Sequence, residues 1–300
     1  MSDSSRFIRL LLPCLLLVGL QVLLGCQATL AQPAQTSDAA RVTVSTPDDP
    51  RWPLSHRERQ VLNSTGMTQV SMPFGVLLAA DEDMPAAHVR QAAGILAEMM
   101  DQNMDGVVDD SRVAEVLMRR EVCWLAMPMD PVDWEERQFP ALERVLGYDI
   151  IIPEWWMGVH GPVPDDHARA VMVEEIHHFM TQFGFSVVYP DVFGVESWDS
   201  VIARETRRAQ CDFWQHPEND CPGRAADIGG DCSDPNCDVV EFYQQVAVMR
   251  AGMQPGWLGI GFPVDRMALE ARLSDEFKAA VDDPGYHQLK GPMTFSYPVE

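Results

Sequence analysis

The run "DQNMDGVVDDSR", residues 101–112, leaves the chain little local freedom. Asp101, Asn103 and Asp105 put side-chain oxygens at positions 1, 3 and 5. Gly106 permits a sharp turn at position 6, Val107 offers a backbone carbonyl at position 7, and Asp109 stands at position 9. Val108 between them is the apolar residue that would anchor the loop. Hard oxygen donors at this spacing suit Ca²⁺. Upstream, Val89, Ala92, Ala93, Leu96 and Met100 recur at helical spacing behind Pro85, which is suited to a first turn; downstream, "VAEVLMRREV" is amphipathic. The stretch predicts an EF-hand-like helix–loop–helix clamped by calcium. Position 12 is Arg112 where a bidentate Glu belongs, which implies modest affinity, with Asp110 as a substitute donor from position 10. The plain alternative is an Asp/Asn/Gly turn without an ion.

A second helix carries chemistry-bearing residues. "PVPDDHARAVMVEEIHHFMTQFG" has Asp165 or Asp166 as an N-cap and Gly184 as a stop signal. Val173, Ile176, Met180 and Phe183 form an apolar stripe, and His167, Glu174, His178 and Thr181 form a polar one. Glu174 and His178, at i and i+4, converge on one point, whereas His167 lies about 10 Å along the axis from Glu174. Glu175 and His178, at i and i+3, have the spacing of the Glu-x-x-His pairs of di-iron carboxylate bundles. Aligned with H-E-x-x-H, the helix reads E-E-x-x-H: Glu174 and His178 as ligands of zinc or another divalent ion, Glu175 as general base, His177 toward the solvent or the rim. Glu241 in "CDVVEFYQQVAV" is the candidate third ligand from a later helix. The competing reading is an ordinary amphipathic helix with a polar rim.

The ends and the composition set the compartment. "RFIRLLLPCLLLVGLQVLLGC" joins a short basic segment to an apolar core too short to span a bilayer, as in an export signal. Leu23-Leu24-Gly25-Cys26 resembles the lipobox of bacterial lipoproteins, which implies a signal over residues 1–25, a lipid on Cys26 and attachment to the cell envelope; the alternative is cleavage after Ala31. Residues 26–60 read as a lipidated start and flexible tether, and 61–300 as one globular domain. A net charge of −23, with Lys278 and Lys290 the only lysines, excludes a cationic surface for nucleic acid. Cys211, Cys221, Cys232 and Cys237 cluster in a loop-rich stretch of an exported chain. Disulfides Cys211–Cys221 and Cys232–Cys237 are expected, with Cys123 buried and free; zinc binding by these thiols is the weaker alternative without a C-x-x-C pair.

"VSMPFGVLLAAD" reads as a strand region in which Pro73 argues against a central strand. "ESWDSVIARETRRAQ", with Ser197 near its start, "EFYQQVAVMRAGM" and "RMALEARLSDEFKAAV" read as helices, and Trp124, Trp155 and Trp156 as core residues. No G-x-S-x-G elbow, phosphate-binding glycine loop or dinucleotide fingerprint is present, which removes serine-triad hydrolase, kinase and dehydrogenase readings.

In order, "MPFGVLL", "ILAEMMDQNMDGVVDD", "VEEIHHFMTQFG", "VVYPDVFG", "CSDPNCDVVEFY" and "DDPGYHQL" cover residues 68–290. They resemble an uncharacterised family of secreted proteins with an FG strand, an acidic DxDxDGxxD loop, an EExxH helix, a YPxxFG stretch, a cysteine pair and a late Glu-Tyr helix. The resemblance implies that Asp101, Asn103, Asp105 and Asp109 form the acidic loop and that Glu174, Glu175, His178 and Glu241 form the polar constellation; it implies no activity. This chain departs from the family pattern at His177 and at "DDS" after the loop.

The expectation is a mainly helical α+β domain with disulfide-stapled loops and a zincin-like helix-based site. Its expected activity is metal-dependent, peptidase-like hydrolysis of peptides. The rival is a non-enzymatic, calcium-stabilised surface lipoprotein that binds or supports.

Overall fold

A four-stranded sheet is built around two short apolar segments, Leu78–Ala80 and Cys123–Met127, each buried on both faces. The computed structural model describes residues 42–159, 161–214, 235–255 and 261–298. The strands are β1 (Gln69–Ser71), β2 (Leu78–Ala80), β3 (Cys123–Met127) and β4 (Tyr148–Ile151), in that spatial order. β1 runs antiparallel to β2, while β2, β3 and β4 are mutually parallel, with Leu78 opposite Leu125 and Trp124 opposite Asp149. The predicted strand region at 70–81 is broken at Pro73–Gly75, where Phe74 takes a positive φ and the chain reverses between β1 and β2. Pro73 thus falls in the connection, as its missing N–H requires.

Because successive side chains of a strand point to opposite faces, β3 feeds two cores. Cys123, Leu125 and Met127 join the larger core, with Leu78, Ala80 and the helices α2 (Ala86–Met100) and α4 (Asp166–Met180). Trp124 and Ala126 join a second core, with Ala79, Trp134, Leu142, Trp52 and Leu62 of α1 (His56–Thr65). A parallel pair needs a long crossover, and here α2, the acidic loop and α3 (Ser111–Leu117) carry the chain from β2 to β3. Helices α5 (Val201–Asp212), α6 (Pro235–Arg250) and α7 (Asp275–Val281) complete the larger core, with α6 packed against α4. The architecture is α+β, about half helical. No helix among the described residues is long and apolar enough to cross a membrane.

Several local expectations shift. Residues 42–60 are not a tether throughout: Val42, Trp52 and Leu54 are buried, Ser45 bridges to Val70, and Ser55 caps α1 in a reciprocal capping box with Glu58. Asp165 caps α4 by accepting from the Ala168 amide at 2.8 Å. Gly184 does not end that helix. The backbone widens into a π turn over Thr181–Phe185 and runs on through Ser186–Val188. Gly184 is needed for contact: a Cβ there would lie 2.9 Å from Cγ1 of Val113. The cap of α5 is Ser200, whose hydroxyl accepts from Ala203, rather than Ser197. The last predicted helix is two, Arg266–Glu270 and Asp275–Val281, divided at Ser274, which caps the second. Cys123 is buried and free, while Cys211 and Cys237 are each in a disulfide; Cys221, Cys232 and with them the expected pairing lie outside the described residues, as do the signal segment and Cys26.

Candidate active site

Helices α4 and α6 bring Glu174, Glu175 and Glu241 to the lining of one cavity of about 470 Å³, with His178 beside the last two. Its lining is Trp155, Trp156, His167, Val171, Glu174 and Glu175, with Glu241 and Gln244 from α6. The centre is His178. Its Nδ1 lies 3.7 Å from Oε2 of Glu175 and 3.9 Å from Oε1 of Glu241, and its Nε2 is 2.9 Å from Oε1 of Gln182 in the π turn. With Nε2–H donating to the Gln182 carbonyl oxygen, the Nδ1 lone pair faces the two carboxyls, and it forms no hydrogen bond. That is the arrangement by which an outer partner fixes the tautomer of a ligand histidine. On α6, Gln244 donates from Nε2 to Oε2 of Glu241 at 3.0 Å, and its Oε1 is buried without a hydrogen bond.

Sequence spacing selected Glu174 as the helical partner of His178, with Glu175 beside a water. The carboxyls that approach Nδ1 are instead Glu175, at i and i+3, and Glu241. Glu174 is buried and lines the same cavity. His177 does not face solvent: it is buried, edge-on to Tyr243 with ring centroids 4.7 Å apart, and its Nδ1 meets the Thr181 hydroxyl at 3.5 Å. Helix rotation of about 100° per residue turns it from the cavity into the core. His167 reaches the cavity wall, with Nε2 3.0 Å from the Trp156 carbonyl oxygen. Trp155 and Trp156 were expected in the core; Trp155 packs against the second core, both line the cavity, and Trp156 is 46% exposed. The Trp-Trp pair directly after Pro153-Glu154 was the available signal for them.

Burial dominates the protonation of the cluster. It drives Glu175 well above the ordinary carboxylate range, with Glu241 and then Glu174 adding to the effect. It raises Glu241 to about 7, with help from Asp238. It lowers His178 to about 4, opposed by the Gln182 and Gln244 side chains, and His177 to about 3, aided by His178 and Arg250. At neutral pH the metal-free cluster is therefore a neutral imidazole beside a half-ionised Glu241 and a Glu175 biased toward its protonated form, because charges left in such a site must be neutralised or paired.

The set has the donor chemistry of a divalent site, one imidazole and two carboxylates. Its N···O separations exceed the roughly 3.3 Å between ligands of a tetrahedral ion with bonds near 2 Å. Among the described residues no group of three His, Cys, Asp or Glu is drawn in closely enough to hold an ion.

The acidic loop is closed on itself. Asp101, fully buried, accepts from the Gly106 amide at 2.8 Å and the Asp105 amide at 3.2 Å, and Tyr297 donates to its Oδ2 at 2.8 Å. Asn103 accepts from the Asp105 amide, Asp105 from the Val107 amide, and Asp109 from the Gln102 amide. Gly106 takes the positive φ of 86° that its position requires, and Val108 packs on the core. Asp110 is not a spare ligand: it caps α3 through the Arg112 and Val113 amides and accepts from the Tyr189 hydroxyl. Arg112 lies over the Tyr189 ring, 4.8 Å from its centroid.

Compared with protein-family models, curated proteins and solved structures, the chain matches none.

Proposed function

We propose that the protein is a metal-dependent, peptidase-like hydrolase of the bacterial cell envelope, held to the membrane by a lipid on Cys26 and stiffened by calcium in the 101–112 loop. The observation that carries this reading is the convergence of Glu175 and Glu241, both lining one cavity, on Nδ1 of His178. Buried donors of this kind are costly unless a proton or a cation joins them. Glu175, His178 and Glu241 would hold zinc or another divalent ion. Such an ion supplies Lewis-acid polarisation of a carbonyl and acidification of a water.

The chain's own residues divide the remaining work. Gln182 fixes the ring of His178 through Nε2, so that Nδ1 presents its lone pair. Gln244 restrains Glu241 through Oε2. Glu174, on the cavity wall, takes the role of general base that the spacing had given to Glu175, because a base must reach the water without quenching the ion. Trp155, Trp156 and Val171 supply the apolar wall against which a substrate is positioned.

The test is to purify the mature protein, measure bound zinc, iron and manganese, and assay a mixed peptide library with wild type and Glu174→Gln. Stoichiometric metal together with peptide cleavage lost in Glu174→Gln supports the hydrolase. Metal-free protein without cleavage leaves the calcium-stabilised binding or structural lipoprotein as the reading.

A further inference from the structure

The segment that follows α7 has little backbone structure of its own. From Gln288 to Pro298 it forms neither helix nor strand. Among the described residues, the amides in use along it are those of Thr294, which donates to Glu98, and Ser296, which donates to the Thr294 hydroxyl. Segments bonded so sparsely open well before a whole domain does. His287 and Phe295 hold positive φ values of 49° and 53°, which residues with a Cβ adopt when their surroundings impose it.

Side-chain fastenings from two directions impose it. On one side stand the last turn of α2 and the acidic loop. Oε1 of Glu98 accepts from the Thr294 amide at 2.5 Å, and Oδ2 of Asp101 accepts from the Tyr297 hydroxyl at 2.8 Å. Nε2 of Gln102 donates to the His287 carbonyl oxygen at 2.6 Å. On the other side stands α6, where the Tyr243 hydroxyl donates to Oε1 of Gln288 at 2.7 Å. The Tyr243 ring is edge-on to His177, the neighbour of His178, and follows Glu241 by two residues. A void of about 10 Å³ lies between His287 and Gln288 on the segment and His177 and Met180 on α4.

We propose that residues 284–298 are a releasable strap, fastened by Glu98, Asp101 and Gln102, that presses Tyr243 against His177 and so holds α4 and α6 at the separation that sets His178 beside Glu241. Its control of chemistry rests on the reading of those two residues as the site; the mechanical coupling stands without it.

Apolar burial alone is a thin hold on this segment. Met293 and Tyr297 are buried, while Tyr286, Leu289 and Phe295 are packed only in part. Three of the fastenings come from residues 98–102, so a change in that short stretch loosens them together. Gln288, only 2% exposed, carries the hold into α6. A single buried hydrogen bond of this kind shifts an opening equilibrium about fivefold or more.

The experiment compares the mature wild-type protein with Tyr297→Phe and Gln102→Met, changes that keep side-chain size and remove one donor each. Chymotryptic cleavage within residues 286–297 reads the opening of the strap. Amide hydrogen exchange across residues 177–182 and 241–245 reads the order of the site helices. We expect cleavage to quicken about fivefold or more in both variants, exchange at the site helices to quicken about twofold or more, and exchange in α1 to stay as in wild type. Wild-type exchange at the site helices while the strap is cleaved faster overturns the proposal. So does α1 quickening as much as the site, since the segment would then be one more piece of a single cooperative core, and so does a strap cleaved at the wild-type rate in both variants. The peptide library assayed on the same proteins tests the hydrolase reading separately: the expected pattern without cleavage of any peptide ends that reading and leaves the strap standing.

Discussion

Nδ1 of His178 and Oε1 of Glu241 lie 3.9 Å apart, brought from two helices that pack against each other. Helix α4 alone sets Glu175 3.7 Å from that imidazole, and α6 brings the second carboxyl. If they share an ion, His178→Ala abolishes stoichiometric metal, and Glu241→Gln weakens it severely. Gln182→Leu touches only the far ring nitrogen, so it should lower zinc affinity roughly 10–100-fold while leaving the fold intact. Competition titration against a chromophoric chelator reads all three; wild-type affinity in Gln182→Leu would mean that Nδ1 is not the ligating atom.

Calcium at the acidic loop has a thermal signature. At a free calcium concentration ten times the Kd, binding stabilises the folded state by about 1.4 kcal/mol, which is roughly 2–4 °C in Tm for a domain of this size. A chelator should lower Tm by that amount. Asp105→Ala should lower it further, since the Val107 amide also loses its acceptor, and should make melting insensitive to calcium. Because Tyr297 donates to Asp101, the ion-bound loop should also protect the C-terminal segment from proteolysis. If scanning calorimetry finds the same Tm with and without chelator, the loop is a self-closed turn.

Cys26→Ser should move the protein from the membrane fraction into the soluble one, since a lipid on that cysteine is the proposed anchor. A wild-type mature N-terminus at Gln32, read by mass spectrometry, would instead mean cleavage after Ala31 without lipidation.

Much of this was legible in the sequence for physical reasons. The stripe Val89, Ala92, Ala93, Leu96 and Met100 is buried in full because amphipathic periodicity reports which side of a helix meets a core. The Asp165 cap and the Gly106 turn were legible because each is a local backbone requirement. The strands β3 and β4 were not anticipated: "CWLAM" is buried on both faces, so it lacks the alternation by which a strand is recognised. The exchange between Glu174 and Glu175 depends on how α6 sits across α4, which no periodicity in either helix encodes. His177 was misplaced because Tyr243 and Thr181, which bury it, come together only in the folded chain.

Gly184 gives a stability prediction free of any ligand. A methyl group there would meet Val113 Cγ1 at 2.9 Å and two Leu117 carbons at 3.2 Å, against the short helix that leads into β3. Both contacts are buried, so α3 or the π turn must shift to admit it. Gly184→Ala should cost about 1–3 kcal/mol, as overpacking does. The double variant Gly184→Ala/Val113→Ala should recover part of it. Urea melts yielding a more stable Gly184→Ala single variant would show that the site has room and that helix propensity wins.

The protonation of the floor fixes the pH dependence of the metal-free protein. Glu241 and Glu175 have folded values above their ordinary ones, so the stability each contributes is fully present below about 4.5 and is lost as pH rises through the folded value, about 7 for Glu241. His177 and His178 are shifted the other way: their contribution is present above 6.5 and is lost as pH falls toward about 3 and about 4. Between 4.5 and 6.5 the two effects oppose each other. Above 6.5 the histidines are largely neutral in both states, and the raised carboxyls set the slope, joined by Asp149, which burial also pushes up to about 7. In EDTA, stability should therefore fall between pH 6.5 and 8.5, with Glu241 contributing on the order of 1 kcal/mol and Glu175 adding in the same direction. Glu241→Gln should flatten part of this slope, since an amide has no proton to lose. Zinc should reverse its sign, because an ion replaces the proton and binds better as the carboxyls ionise. Urea melts at fixed pH with and without zinc read both slopes, and a metal-free protein equally stable at pH 6.5 and 8.5 would mean that Glu241 is not held in its protonated form.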